Sequence, residues 1–103
     1  MENTMNKEQV FKKALDFWGW EVQSLVLIEE MAEVTKEIIK IHRDIYFQKP
    51  LDLTKFVKEM ADLKLMFDQI RYDFTEDEQD IFQREYGEKL TRARQMLEEG
   101  GVN

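Results

Sequence analysis

Two long stretches of this chain carry apolar residues at the i, i+3, i+4, i+7 rhythm of an amphipathic helix. The first reads Leu27, Met31, Val34, Ile38, Ile41 and Ile45, and the second Phe56, Met60, Leu63, Phe67 and Ile70. The whole chain holds one proline and four glycines, and Glu, Lys and Gln fill the positions between, so helix is favoured nearly throughout. Four helical segments are expected. The first spans Lys7 to Trp18, with Asn6 as N-cap and Gln9 at the capping-box position. Gly19 breaks or sharply bends the chain before the second, Trp20 to Phe47. Pro50 disfavours helix at Lys49 and cannot continue one itself, which makes Gln48 to Asp52 a linker. The third segment spans Leu53 to Tyr72. Thr75 and Glu78 form a capping box for the fourth, which ends near Glu99 before Gly100 and Gly101. Gly87 inside it costs about 1 kcal/mol relative to alanine, which points to a close approach there.

A chain of 103 residues fits one domain with a modest core, its ends (1–6 and 100–103) expected to be flexible. The expected fold class is all-α, a four-helix bundle. Without cysteine, neither a disulfide framework nor a thiolate metal site can form. Met1 to Gln9 is polar and lacks the apolar core of a signal peptide. The longest apolar run, Leu25 to Ile28, falls far short of the ~20 residues that span a bilayer. A soluble cytoplasmic protein without a membrane partner is expected. The net charge of −7 argues against nucleic acid, which is bound through clustered Lys and Arg. A small phosphorylated ligand stays compatible with that charge, because a bound metal reverses the local field.

Two carboxylate pairs, Glu30/Glu33 and Glu59/Asp62, border the two apolar seams. At ~100° per residue, positions i and i+3 lie within ~60° of each other on a helix, so each pair points one way. Carboxylates beside a core seam cost desolvation energy unless a cation or donor offsets it. Helices joined by a short linker pack antiparallel, which would bring the pairs together as an oxygen-rich cage for a hard divalent ion, Mg²⁺ above all with Mn²⁺ as a substitute. Glu37 continues the stripe begun by Glu30 and Glu33, while Glu29 projects to solvent. The same spacing recurs at Asp73/Glu76, Asp77/Asp80 and Glu85/Glu88, as solvated acidic faces do. Seam-edge placement is what distinguishes the first two pairs.

The run Ala14-Leu15-Asp16-Phe17-Trp18-Gly19, then Gln23, Ile28-Glu29-Glu30-Met31-Ala32-Glu33-Val34 and Lys58-Glu59-Met60-Ala61-Asp62-Leu63, resembles the MazG-like nucleoside triphosphate pyrophosphohydrolases of the all-α NTP pyrophosphatase superfamily. Their signature is a Glu-Glu-x-x-Glu helix followed by a Glu-x-x-Asp helix, and the resemblance extends over roughly residues 10 to 97. The stretch from Thr35 to Arg43 is similar to small stand-alone bacterial and phage members. The resemblance implies hydrolysis of the α–β phosphoanhydride bond of a nucleoside triphosphate to a monophosphate and pyrophosphate. Glu30, Glu33, Glu59 and Asp62 would hold Mg²⁺, with Glu33 and Glu30 as the catalytic carboxylates, Glu33 taking the proton from the attacking water. Glu29 is a candidate outer group.

Lys89 and Arg92 match the family's late phosphate-binding pattern, though many relatives carry Asn at the second position. Lys36 and Lys40, with Arg43 beyond them, are further phosphate-binding candidates, and all are equally readable as ordinary helix-surface ion pairs. Trp18, Trp20 and Gln23 fall where family members build the nucleobase pocket; an indole can stack on a base and Gln23 can read its edge, while tryptophans at helical spacing are also core anchors. His42 is expected on the inner side of its helix as a structural residue. The exposed apolar surface and the family's habit together imply a homodimer or homotetramer that completes the bundle. A superfamily relative acting on dUTP or phosphoribosyl-ATP and a non-catalytic helical interaction module are the alternatives. A ferritin-like di-iron site fails, since it needs Glu-x-x-His pairs and Ile39 stands three residues before His42.

Overall fold

The computed structural model describes residues 4–100 and is all-helical. Helix α1 spans Lys7–Tyr46, α2 spans Thr54–Tyr72 and α3 spans Glu76–Glu98. The expected ends at 1–3 and 101–103 lie outside the described residues. Three elements stand where four were expected, because the first two segments run together as α1, interrupted only at Gly19. The chain forms two compact units, Met1–Asp73 and Phe74–Asn103. No helix among the described residues is long and apolar enough to cross a membrane.

Helix starts follow side-chain chemistry. The Asn6 carboxamide accepts from the Gln9 backbone N–H at 2.8 Å while the Gln9 side chain accepts from the Asn6 N–H at 2.9 Å, a complete capping box. Thr75 and Glu78 repeat it on α3. Helix α2 begins one residue later than expected. Leu53 offers no capping oxygen, and the Asp52 carboxylate instead accepts from the Thr54 N–H at 3.0 Å. Those hydrogen bonds from the Thr54 side chain and backbone, helped by the charge of Lys40, hold the Asp52 carboxyl below its ordinary value. Helix α1 ends through Gln48, whose φ of 55° supplies the left-handed turn that glycine more often provides; Lys49 N–H then reaches back to the Asp44 carbonyl at 2.9 Å.

Gly19 has φ 83° and ψ 162°, a region open essentially to glycine alone. A Cβ there would meet no atom within 4 Å, so the constraint is conformational rather than steric crowding. Gly19→Ala is therefore expected to lower stability by about 1–3 kcal/mol, read as a fall in urea midpoint without a change in slope.

In the first unit α1 and α2 pack together. Their contact face differs from the expected seams by about one residue. Val34 and Ile70 are buried as expected, but Met31, Ile38, Ile45, Met60 and Phe67 are largely exposed. Gln23, Glu37 and Gln69 are buried instead, with Glu30 and Glu59 half-buried. Before the Gly19 bend, Phe11 and Ala14 are buried, and the Phe11 ring meets Tyr72 edge-on at 5.9 Å between centroids. In the second unit, Phe74 and Phe82 pack at 6.3 Å. No residue of α3 is buried, and the space above Gly87 is open for 4 Å, so no close approach from this chain explains that glycine.

Candidate metal centre

The α1–α2 contact face gathers three of the four expected ligands. One carboxylate oxygen from each of Glu30, Glu59 and Asp62 lies within 4.8 Å of the others. Glu30 comes from the middle of α1, and Glu59 and Asp62 from one turn of α2, so the two helices contribute from opposite sides. The Glu30 Oε2 atom is buried and has no hydrogen-bond partner. Burial pushes the Glu30 carboxyl above its ordinary value of 4.5, and the charges of Asp62, Glu59, Glu33 and Glu29 push it the same way.

A buried acceptor with nothing to accept from is unusual and costly. Three carboxylates converging on it make a hard-oxygen donor set suited to Mg²⁺ or Mn²⁺. The residues therefore fit a divalent cation.

Glu33, the fourth expected ligand, is not in this group. It is half-buried and pairs with Lys36 at 3.5 Å. Lys40 pairs with Glu37 at 3.9 Å, so both α1 lysines proposed for phosphate are engaged with carboxylates of their own helix. Lys89 pairs with Glu85 at 3.4 Å on α3, and Arg92 is exposed on the same helix. His42 is exposed rather than inward-facing, because the contact face passes through Glu37 and Ile41 instead.

Of the residues proposed for the base, Trp18 and Gln23 share one cleft of about 350 Å³ with Val22, Val26, Leu65, Met66 and Gln69. Trp20 is exposed and is not part of that lining. Gln23 and Gln69 are only 4% and 5% exposed, and the Gln69 Nε2 donates to the Gln23 Oε1. Gln69 was not singled out from the sequence, nor was the ion pair of Lys55 with the buried Glu37 at 3.6 Å. A signal for both existed. Lys55, Asp62 and Gln69 are seven residues apart, as are Gln23, Glu30 and Glu37.

No family model, curated protein or solved structure matches the chain.

Proposed function

We propose that this protein is a Mg²⁺-dependent nucleoside triphosphate pyrophosphohydrolase that splits the α–β anhydride of an NTP or dNTP into a monophosphate and pyrophosphate. One observation carries the reading: a buried, unpartnered carboxylate oxygen of Glu30 within a three-carboxylate group drawn from two facing helices. The signature residues that resemble the MazG-like enzymes supply the reaction.

Glu30, Glu59 and Asp62 hold the cation, which when bound neutralises phosphate charge and polarises phosphorus. Glu33, whose charge acts on Glu30, accepts the proton of the attacking water. Water's oxygen bonds to phosphorus as the bridging oxygen leaves with pyrophosphate. Trp18 and Gln23 receive the base in their shared cleft.

The same unit has an apolar cleft of about 670 Å³ lined by Leu27, Met31, Met60, Ala61 and Leu63 among others. Met31 and Met60 directly follow Glu30 and Glu59 in sequence. Two α1–α2 pairs joined over this cleft make the four-helix bundle, as a homodimer that walls in the carboxylates.

With Mg²⁺ present, a panel of canonical, deoxy and damaged nucleoside triphosphates is expected to yield monophosphate and pyrophosphate in equal amounts from at least one member. Orthophosphate with diphosphate from every reactive member would refute the bond assignment.

A further inference from the structure

The polar contacts between α1 and α2 obey one register. Gln23 meets Gln69, Glu30 meets Asp62 within the carboxylate group, and Glu37 meets Lys55 at 3.6 Å. In each pair the residue numbers add to the same total, as antiparallel helices in unbroken register require. Successive pairs are seven residues apart on both helices, or ~10 Å along the axis at 1.5 Å per residue. The heptad spacing keeps all three layers on one face, as in a coiled-coil seam. Polar groups in such a seam are best known for fixing register, because sliding the helices leaves them buried and unpaired.

We infer that the amide pair Gln23–Gln69 and the ion pair Glu37–Lys55 are a register lock, the two outer layers that hold the mutually repelling carboxylates of the middle layer opposite one another. The middle layer alone favours slippage in the direction that sets Glu30 against Met66, since like charges gain by moving apart; slippage the other way sets Glu30 against Glu59. The outer layers oppose it in both directions. Sliding α2 by about one turn one way sets the buried Glu37 against Glu59. Sliding it the other way takes Glu37 from Lys55 to the neighbourhood of Asp52. Either slip also parts Gln23 from Gln69, leaving two buried amides without each other. Glu37 and Lys55 are thus positioning residues, acting through the spacing of Glu30, Glu59 and Asp62.

This inference does not depend on the pyrophosphohydrolase reading, and its test is run without metal. The chain has no cysteine, so an introduced pair reports register directly. Val26→Cys/Met66→Cys joins two residues that line the same cleft; Val26→Cys/Leu63→Cys probes a slip of about one turn. In EDTA the first pair is expected to oxidise at least about tenfold faster than the second, given the narrow Cα separation a disulfide tolerates. Adding Lys55→Glu should cut that preference to below about threefold, and the swap Glu37→Lys/Lys55→Glu should restore it, as should the conservative Lys55→Arg in place of Lys55→Glu. Should Lys55→Glu fail to fold, Lys55→Ala is measured by the same criterion. A preference that stays intact in a Lys55 variant of lowered melting temperature makes the pair a brace and not a register lock. Equal oxidation of both cysteine pairs in the parent overturns the inference outright.

Discussion

Glu59→Gln is expected to reduce pyrophosphate release by about a hundredfold or more, the usual scale for removing one preorganised electrostatic partner, while the protein stays folded. Glutamine keeps the shape and packing of the half-buried Glu59 and removes only its charge. One carboxylate oxygen from each of Glu30, Glu59 and Asp62 lies within 4.8 Å of the others, so a neutral amide in this trio removes one of the three charges of the proposed cation site. Trp20→Ala is the contrasting control, since Trp20 lies outside the cleft lining that includes Trp18 and Gln23. Assay of pyrophosphate against enzyme concentration for both variants checks this. Full activity in Glu59→Gln would remove the carboxylate group from the reaction.

Glu30→Gln should show effects of opposite sign with and without metal. Without it, Glu30 is a liability: its buried Oε2 is unpartnered, and burial together with four neighbouring carboxylates raises its pKa above the ordinary 4.5. The sign follows from linkage. A carboxyl whose folded pKa is raised binds its proton more tightly in the folded chain, so its stabilising contribution is complete below about pH 4.5. That contribution is lost as pH rises through the raised value. In EDTA at pH 7, Glu30→Gln is therefore expected to be more stable than wild type by about 1 kcal/mol, or about 4–8 °C in melting temperature for a chain of this size. The difference should shrink toward zero as pH falls to 4.5 and below. A gap that is constant with pH would show that desolvated charge is not its source.

Much of the fold was legible because it rests on local chemistry. Asn6 with Gln9 and Thr75 with Glu78 cap as capping boxes do, and Gly19 alone could take φ 83°. The start of α2 was less legible, since the cap comes from Asp52 over an uncapping Leu53. The contact face was misplaced for a deeper reason. Apolar periodicity locates a stripe on each helix but not which edge of it turns toward the neighbour. Here that edge is set by Gln23, Glu37 and Gln69, polar residues made affordable inside by pairing with one another or with Lys55. Met31 and Met60 were left outside as a result. Glu30, Glu59 and Asp62 were singled out because i and i+3 on a helix share a direction and because their pairs border apolar seams on helices joined by a short linker. The three carboxylates do gather. Glu33 shares that direction too and falls level with Glu59, yet its carboxylate is not in the trio and pairs with Lys36 instead. Which way each side chain turns and which partner it takes, which spacing within one helix does not encode, decided between them.

The central claim is that Glu30, Glu59 and Asp62 hold a divalent cation, and thermal unfolding across a Mg²⁺ titration tests it most directly. Wild type is expected to gain stability as RT ln(1 + [Mg²⁺]/Kd), about 2.7 kcal/mol at a hundred times Kd, with Mn²⁺ substituting. Glu30→Gln, the more stable protein in EDTA, should gain almost nothing, so that the two curves cross. Parallel curves, with wild type no more responsive to Mg²⁺ than Glu30→Gln, would contradict the account.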